Sequence, residues 1–191
     1  MKVGKEAFIL HADRFPNVIG KREKCVVKMF KTDFFQFKLQ EKYVKYNPNF
    51  KDKIDKQNMG KYSQLWAERE RDNLIRLKNA DIPCPEVITL KQHLLIMSFI
   101  GENYRPALTL KDANLSDQKF NDAYLQVIKA MKTMYEKENL IHGDLSEDNI
   151  LWFKECCYFI DVGQAMAPTD VNAYNFLYRD CQKITDESIL M

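Results

Sequence analysis

The chain has little of what builds metal-centred or disulfide-stapled domains. Three histidines and five cysteines stand among its 191 residues. No two cysteines form a Cys-x-x-Cys pair, so a structural zinc lacks its usual ligand spacing. The odd set Cys25, Cys84, Cys156, Cys157 and Cys181 argues against a disulfide framework and predicts reduced, mostly packed thiols, as in a cytosolic or nuclear protein. No apolar run approaches the roughly 18 residues of a membrane span, and residues 7–10 are too short for a signal-peptide core. Charge of one sign is lacking too: Lys plus Arg number 29 and Asp plus Glu 27, a net +2. That balance removes any global electrostatic case for wrapping nucleic acid or lying on an anionic membrane. Internal repeats and low-complexity segments are absent.

What is present, with 46% hydrophobic and 29% charged residues, is the profile of a folded globular domain. The length suffices for a sizeable core and is short for two full enzyme domains, although two small lobes sharing a cleft fit. Residues 6–11 and 25–30 are short apolar runs separated by turn chemistry and predict an antiparallel hairpin. Residues 38–62 carry seven lysines against Glu41, Asp52 and Asp55, an excess of +4, with Tyr43, Tyr46 and Phe50 interleaved. This local patch reads either as an RNA or ribosome contact or as a solvated loop.

A helix is expected from Ser63, a candidate N-cap, to about Asn79, with Trp66, Glu70, Asn73, Leu74 and Leu77 on one stripe. A carboxylate therefore falls on the buried face. Ile82-Pro83-Cys84-Pro85 ends it, and 87–90 and 94–99 read as two further strands. Ser116 can cap a second helix, in which Phe120, Tyr124, Val127, Ile128, Met131, Met134 and Tyr135 keep helical period and predict a core helix. Residues 150–153 and 157–160 flank a turn, and the chain from Tyr174 looks helical.

The informative run is Leu140-Ile141-His142-Gly143-Asp144-Leu145-Ser146-Glu147-Asp148-Asn149, followed by Ile160-Asp161-Val162-Gly163. Order and spacing match the kinase plan of His-x-Asp, four residues, Asn, then Asp-x-Gly. On that plan Asp144 accepts a hydroxyl proton or orients a nucleophile, while Asn149 and Asp161 offer oxygen ligands to magnesium carrying polyphosphate. Upstream, Lys28 lies on the apolar strand Val26-Val27-Lys28-Met29-Phe30, where an unpaired ammonium would be costly. Glu70 and nucleotide phosphates are the anions a kinase would supply; Glu68 lies off the buried stripe. Residues 95–101 fit a strand leading to a hinge whose backbone groups read an adenine edge, or a plain core strand. His142 reads as a loop-bracing histidine.

These residues resemble the RIO atypical protein kinases, in the branch without a winged-helix domain. The likeness runs through Gly4-Lys5-Glu6-Ala7, Trp66-Ala67-Glu68-Arg69-Glu70, Ile82-Pro83-Cys84-Pro85, Met97-Ser98-Phe99-Ile100-Gly101, the 142–149 loop, 160–164 and Arg179-Asp180-Cys181. It implies an α+β, minimal two-lobed kinase fold, with an antiparallel N-lobe sheet in 1–101 and a helical C-lobe in 102–191. It further implies a serine/threonine kinase or ATPase using ATP and Mg2+. The implied setting is cytoplasmic maturation of the small ribosomal subunit, with its precursor and assembly factors as partners and no membrane. Carried over by position, Lys28 and Glu70 hold phosphates, Ser98 and Ile100 form the hinge, Asp144 is catalytic, and Asn149 and Asp161 bind metal. The resemblance also implies an ATPase that can phosphorylate the aspartate corresponding to Asp161. Against the family pattern, the Ser-Thr-Gly expected before Gly4 is absent and the C-terminal helices are cut short, so the chain reads as truncated at both ends. Gly143 replaces the arginine of His-Arg-Asp and no Ala-Pro-Glu follows, which argues against control by loop phosphorylation. Gly143 and Gly163 stand where alanine and serine are common in this branch, and tolerance is expected there. Two other readings compete: a small-molecule phosphotransferase, and a catalytically weak binding module on ribosomal precursors.

Overall fold

The computed structural model describes residues 2–3, 7–14, 22–31 and 59–185. The basic patch lies almost wholly outside these residues, as do the turns between the first strands. Two compact units are present, Met1–Asp72 with Glu86–Phe99, and Asn73–Pro85 with Ile100–Met191.

The first unit is built on a five-stranded antiparallel sheet. β1 (Lys2–Val3), β2 (Ala7–Arg14), β3 (Glu23–Phe30), β4 (Val87–Lys91) and β5 (Leu94–Ser98) lie in the order β1-β2-β3-β5-β4. The expected hairpin is β2 with β3, in register from Ala7 opposite Phe30 to Arg14 opposite Glu23. β3 holds the centre because its other edge pairs with β5, Cys25 facing Ser98 and Met29 facing Leu94.

Helix α1 (Met59–Asn79) starts one turn earlier than the Ser63 cap predicts. Ser63 is inside the helix, and its hydroxyl donates to the Lys31 carbonyl at 2.7 Å. Trp66, Ala67, Glu70, Leu74 and Leu77 are buried at three- and four-residue spacing, so the expected stripe is the packed face. Burial of an apolar side chain such as Leu74 or Leu77 contributes about 1.5–3 kcal/mol. The helix stops before the prolines: Asp81 takes a left-handed φ of 57°, and the amides of Asp81 and Ile82 return to the carbonyls of Lys78 and Leu77. This is a Schellman termination with aspartate in the position usually held by glycine.

In the second unit, α2 (Asp117–Glu138) buries Ala123, Val127, Ala130 and Met134. Ile128 and Tyr135, expected in the core, are exposed with Leu125. The two alanines, which carry little weight in a periodicity argument, form the inward stripe instead. Ser116 occupies the cap position without a side-chain capping bond. β9 (Ile150–Phe153) and β10 (Cys156–Phe159) form a hairpin with Cys156 opposite Phe153. Its two-residue turn, Lys154-Glu155, has both φ values positive, 50° and 62°, as a type I′ turn requires. β8 (Leu108–Thr109) adds a third strand beside β9, and β6 (Gly101–Glu102) pairs with β7 (Arg105–Pro106). Helix α3 (Ala173–Thr185) buries Ala173, Asp180 and Ile184, its start packing with Ile141 and Met166.

The five cysteines form no disulfide, Cys181 is exposed, and burial pushes the Cys157 thiol up to about 12. No helix among the described residues is long and apolar enough to cross a membrane.

Candidate active site

In the first unit the structure brings Lys28 and Glu70 together. β3 aims Lys28 inward beside Phe30, whose ring centroid is 5.2 Å from Nζ. The apolar stripe of α1 carries Glu70 to the same place, and Nζ donates to both carboxylate oxygens at 2.7 Å. Both residues are buried, so each charge is compensated by the other where water is excluded. Ser98 closes β5: its amide donates to the Glu86 carbonyl and its hydroxyl accepts from the Glu86 amide, each at 2.8 Å.

In the second unit Ile100 accepts a hydrogen bond from the Ala107 amide at 3.0 Å. The loop that carries Asp144 is pinned at its entry, where Ile141 and Met166 exchange two backbone hydrogen bonds of 2.8 and 2.9 Å. His142 is buried and braces the Asp144 loop from within. Its Nε2 lies 3.2 Å from the Ile160 carbonyl, and its Nδ1 accepts from the Asp144 amide at 3.4 Å. The proton therefore sits on Nε2, which donates to Ile160. Burial pushes the imidazole below its ordinary value, opposed by the charges of Asp180, Asp161 and Asp144.

Asn149 ends a short 3-10 turn (Glu147–Asn149). Its Nδ2 donates to the Asp144 carbonyl at 2.8 Å. Asp161 precedes a second 3-10 turn (Val162–Gln164) and has left-handed backbone, φ 60° and ψ 46°. The next carbonyl, that of Val162, accepts from Asn73 Nδ2 at 2.8 Å, so the buried polar residue of the α1 stripe anchors this segment. Among the described residues no three His, Cys, Asp or Glu side chains cluster as a metal cage. An amide oxygen and a carboxylate suit Mg2+, which keeps waters and takes phosphate oxygens for the remaining positions.

Two residues with no role assigned from sequence contact the Asp144 loop. The Asp180 carboxylate accepts from the amides of Gly143 at 2.8 Å and Leu145 at 2.9 Å, on either side of Asp144. Burial pushes this carboxyl up and the two amides oppose that. One helical turn on, Lys183 Nζ reaches Asp144 Oδ1 at 2.9 Å. Asp180 did carry a signal, because an acid sits with Ala173 and Ile184 on the buried face of α3 just as Glu70 does in α1.

A family model described as the RIO domain matches residues 9–187, and the chain belongs to that family. It is 40% identical over 191 residues to serine/threonine-protein kinase RIO3 of Bos taurus, which covers 97% of this chain and 37% of that protein. To serine/threonine-protein kinase RIO1 of Homo sapiens it is 41% identical over 186 residues, 97% of this chain and 32% of that one. The chain thus spans about a third of the length of these curated relatives. The solved Rio2 kinase-ADP/Mg2+-phosphoaspartate complex of Chaetomium thermophilum matches with a TM-score of 0.73 at 24% identity, over 97% of this chain and 53% of that one. The α+β, kinase-like fold expected from the sequence is therefore borne out.

Proposed function

We propose that this chain transfers the γ-phosphoryl group of ATP, as a RIO-family serine/threonine kinase or ATPase. The observation that carries the reading is the loop of Asp144 and Asn149: it is fixed on both sides by backbone bonds, yet leaves Asp144 only half-buried. A rigid loop presenting an accessible carboxylate is what a general base requires. Lys28, oriented by Glu70, would hold nucleotide phosphates, and Ser98 and Ile100 would read the adenine edge. Asn149 and Asp161 would hold Mg2+, which when bound neutralises charge on the phosphates.

In the kinase form of the reaction the bond from the γ-phosphorus to the bridging oxygen breaks and ADP leaves with that oxygen. A hydroxyl oxygen bonds to phosphorus and gives its proton to Asp144. In the ATPase form the Asp161 carboxylate is the acceptor and no proton moves in the first step; water then attacks phosphorus, the bond from the Asp161 oxygen to phosphorus breaks, and the water gives its proton to Asp144. The phosphoaspartate of the solved Chaetomium thermophilum Rio2 complex supports this second form.

The setting proposed is cytoplasmic maturation of the small ribosomal subunit, with contact to its precursor through the lysines of 38–61. This part rests on the family likeness and on the local charge excess. Retention on small-subunit precursors that falls steeply with salt, and is lost when these lysines are neutralised, is the expected result.

The decisive experiment is single-turnover incubation with γ-labelled ATP and Mg2+. Hydroxylamine-labile label on the chain with phosphate release, both lost in Asp161→Asn, is expected for the ATPase form. Acid-stable label would assign a hydroxyl-directed kinase. A folded chain with neither would leave a binding module. In Asp144→Ala the rate should fall roughly 100- to 10,000-fold, the usual contribution of a general base, with nucleotide affinity little changed.

A further inference from the structure

We infer that Lys183 is a positioning residue for phosphoryl transfer, supplied to the Asp144 carboxylate by the last helix; the inference rests on the phosphotransferase reading. The segment 140–149 contains Asp144, Glu147 and Asp148 but no lysine or arginine, so any cation for Asp144 must come from elsewhere in the fold. Lys111 reaches Asp148 at 3.2 Å. Among the described residues Lys183 is the one cation bonded to Asp144, at 2.9 Å.

The geometry is more specific than a surface ion pair. Asp180 and Lys183 are three apart on α3 and so share a face. From that face Asp180 takes the amides of Gly143 and Leu145, and Lys183 takes the side chain between them. One helix face therefore grips three consecutive residues of the loop, and the Asp180 bonds fix where the Lys183 stem starts. An aspartate carboxylate standing half-exposed on a loop has several rotamers, and only some aim an oxygen at a reacting hydroxyl. Lys183 engages Oδ1 and selects among them, leaving Oδ2 as the oxygen that accepts the proton. The pair is half-exposed on both sides, a setting in which ion pairs add little to stability. Its removal should therefore change function without unfolding the chain.

The test compares wild type, Lys183→Met, Lys183→Arg, Asp144→Asn and the double variant Lys183→Met/Asp144→Asn. Single-turnover rate at saturating Mg-ATP, nucleotide Kd and melting temperature are read for each. In Lys183→Met the rate should fall roughly 10- to 100-fold, the scale of a misplaced catalytic group, while Kd and melting stay at wild-type values. Lys183→Arg should recover most of the rate. In the Asp144→Asn background Lys183→Met should produce no further loss, because the two act as one unit. A wild-type rate in Lys183→Met overturns the inference, as does an equal loss with and without Asp144. A loss expressed in Kd alone also overturns it. Failure of the underlying reading looks different: wild type itself would then lack turnover, and the inference would fall with it.

Discussion

The ammonium of Lys28 sits 2.7 Å from both carboxylate oxygens of Glu70, with both side chains withdrawn from water. Two elements far apart in the chain, β3 and α1, are thereby joined at a point where neither charge tolerates loss of the other.

Removing one member should be worse than removing both. Glu70→Leu leaves a buried ammonium and should cost about 3–5 kcal/mol, whereas Lys28→Met/Glu70→Leu fills the space with apolar groups and should recover much of that. Urea denaturation of wild type, Lys28→Met, Glu70→Leu and the double variant measures it. A double variant as unstable as the sum of its singles would mean that the pair is not the unit described.

Gly143 should not accept alanine, although alanine is common at this position in the branch the sequence resembles and tolerance is expected from that likeness. Its φ is +81°, and an added Cβ would lie 3.0 Å from the Gln164 carbonyl oxygen and 3.2 Å from Met166 Cε. The nearer obstacle is backbone, held by the adjacent Ile141–Met166 pairing. A non-glycine residue in such a conformation costs about 1–3 kcal/mol. Gly143→Ala should lose stability in that range and also loosen the Gly143 amide, readable by hydrogen exchange. A variant with wild-type melting and exchange would show that the loop adjusts freely.

Acidification should weaken the fold through His142. Its folded value is lowered, chiefly by burial, so above the unfolded value of about 6.5 both states are neutral and its contribution is complete. Below that pH the unfolded chain binds a proton that the folded chain resists, and stability is lost until pH reaches the folded value. Denaturation midpoints between about pH 7.5 and 5.5 should fall more steeply for wild type than for His142→Gln. Equal slopes would mean that the imidazole does not resist protonation in the fold.

The sheet, the three long helices and the Lys28–Glu70 pair were legible because each rests on a local pattern with a physical penalty attached. A charged residue in an apolar stripe must find a partner, and two such residues predict each other. Asp180 had that signature too, but stood in a fragment noted only for its family likeness. Lys183 had none: a lysine near a helix end is unremarkable until α3 is docked on the 142–145 loop. The exposure of Ile128 and Tyr135 was hidden for another reason. Periodicity weights large apolar residues, while close packing of α2 selects Ala123 and Ala130. Two-residue strands such as β8 are too short for any period to register.

The left-handed backbone at Asp161 bears on how that residue should be interrogated. Asparagine and aspartate populate this conformation readily, while alanine and larger side chains resist it. Alanine scanning there would mix the loss of a carboxylate with a bent main chain and a displaced Val162 carbonyl. Asparagine keeps shape and backbone preference and changes charge alone, which makes it the informative substitution at this position.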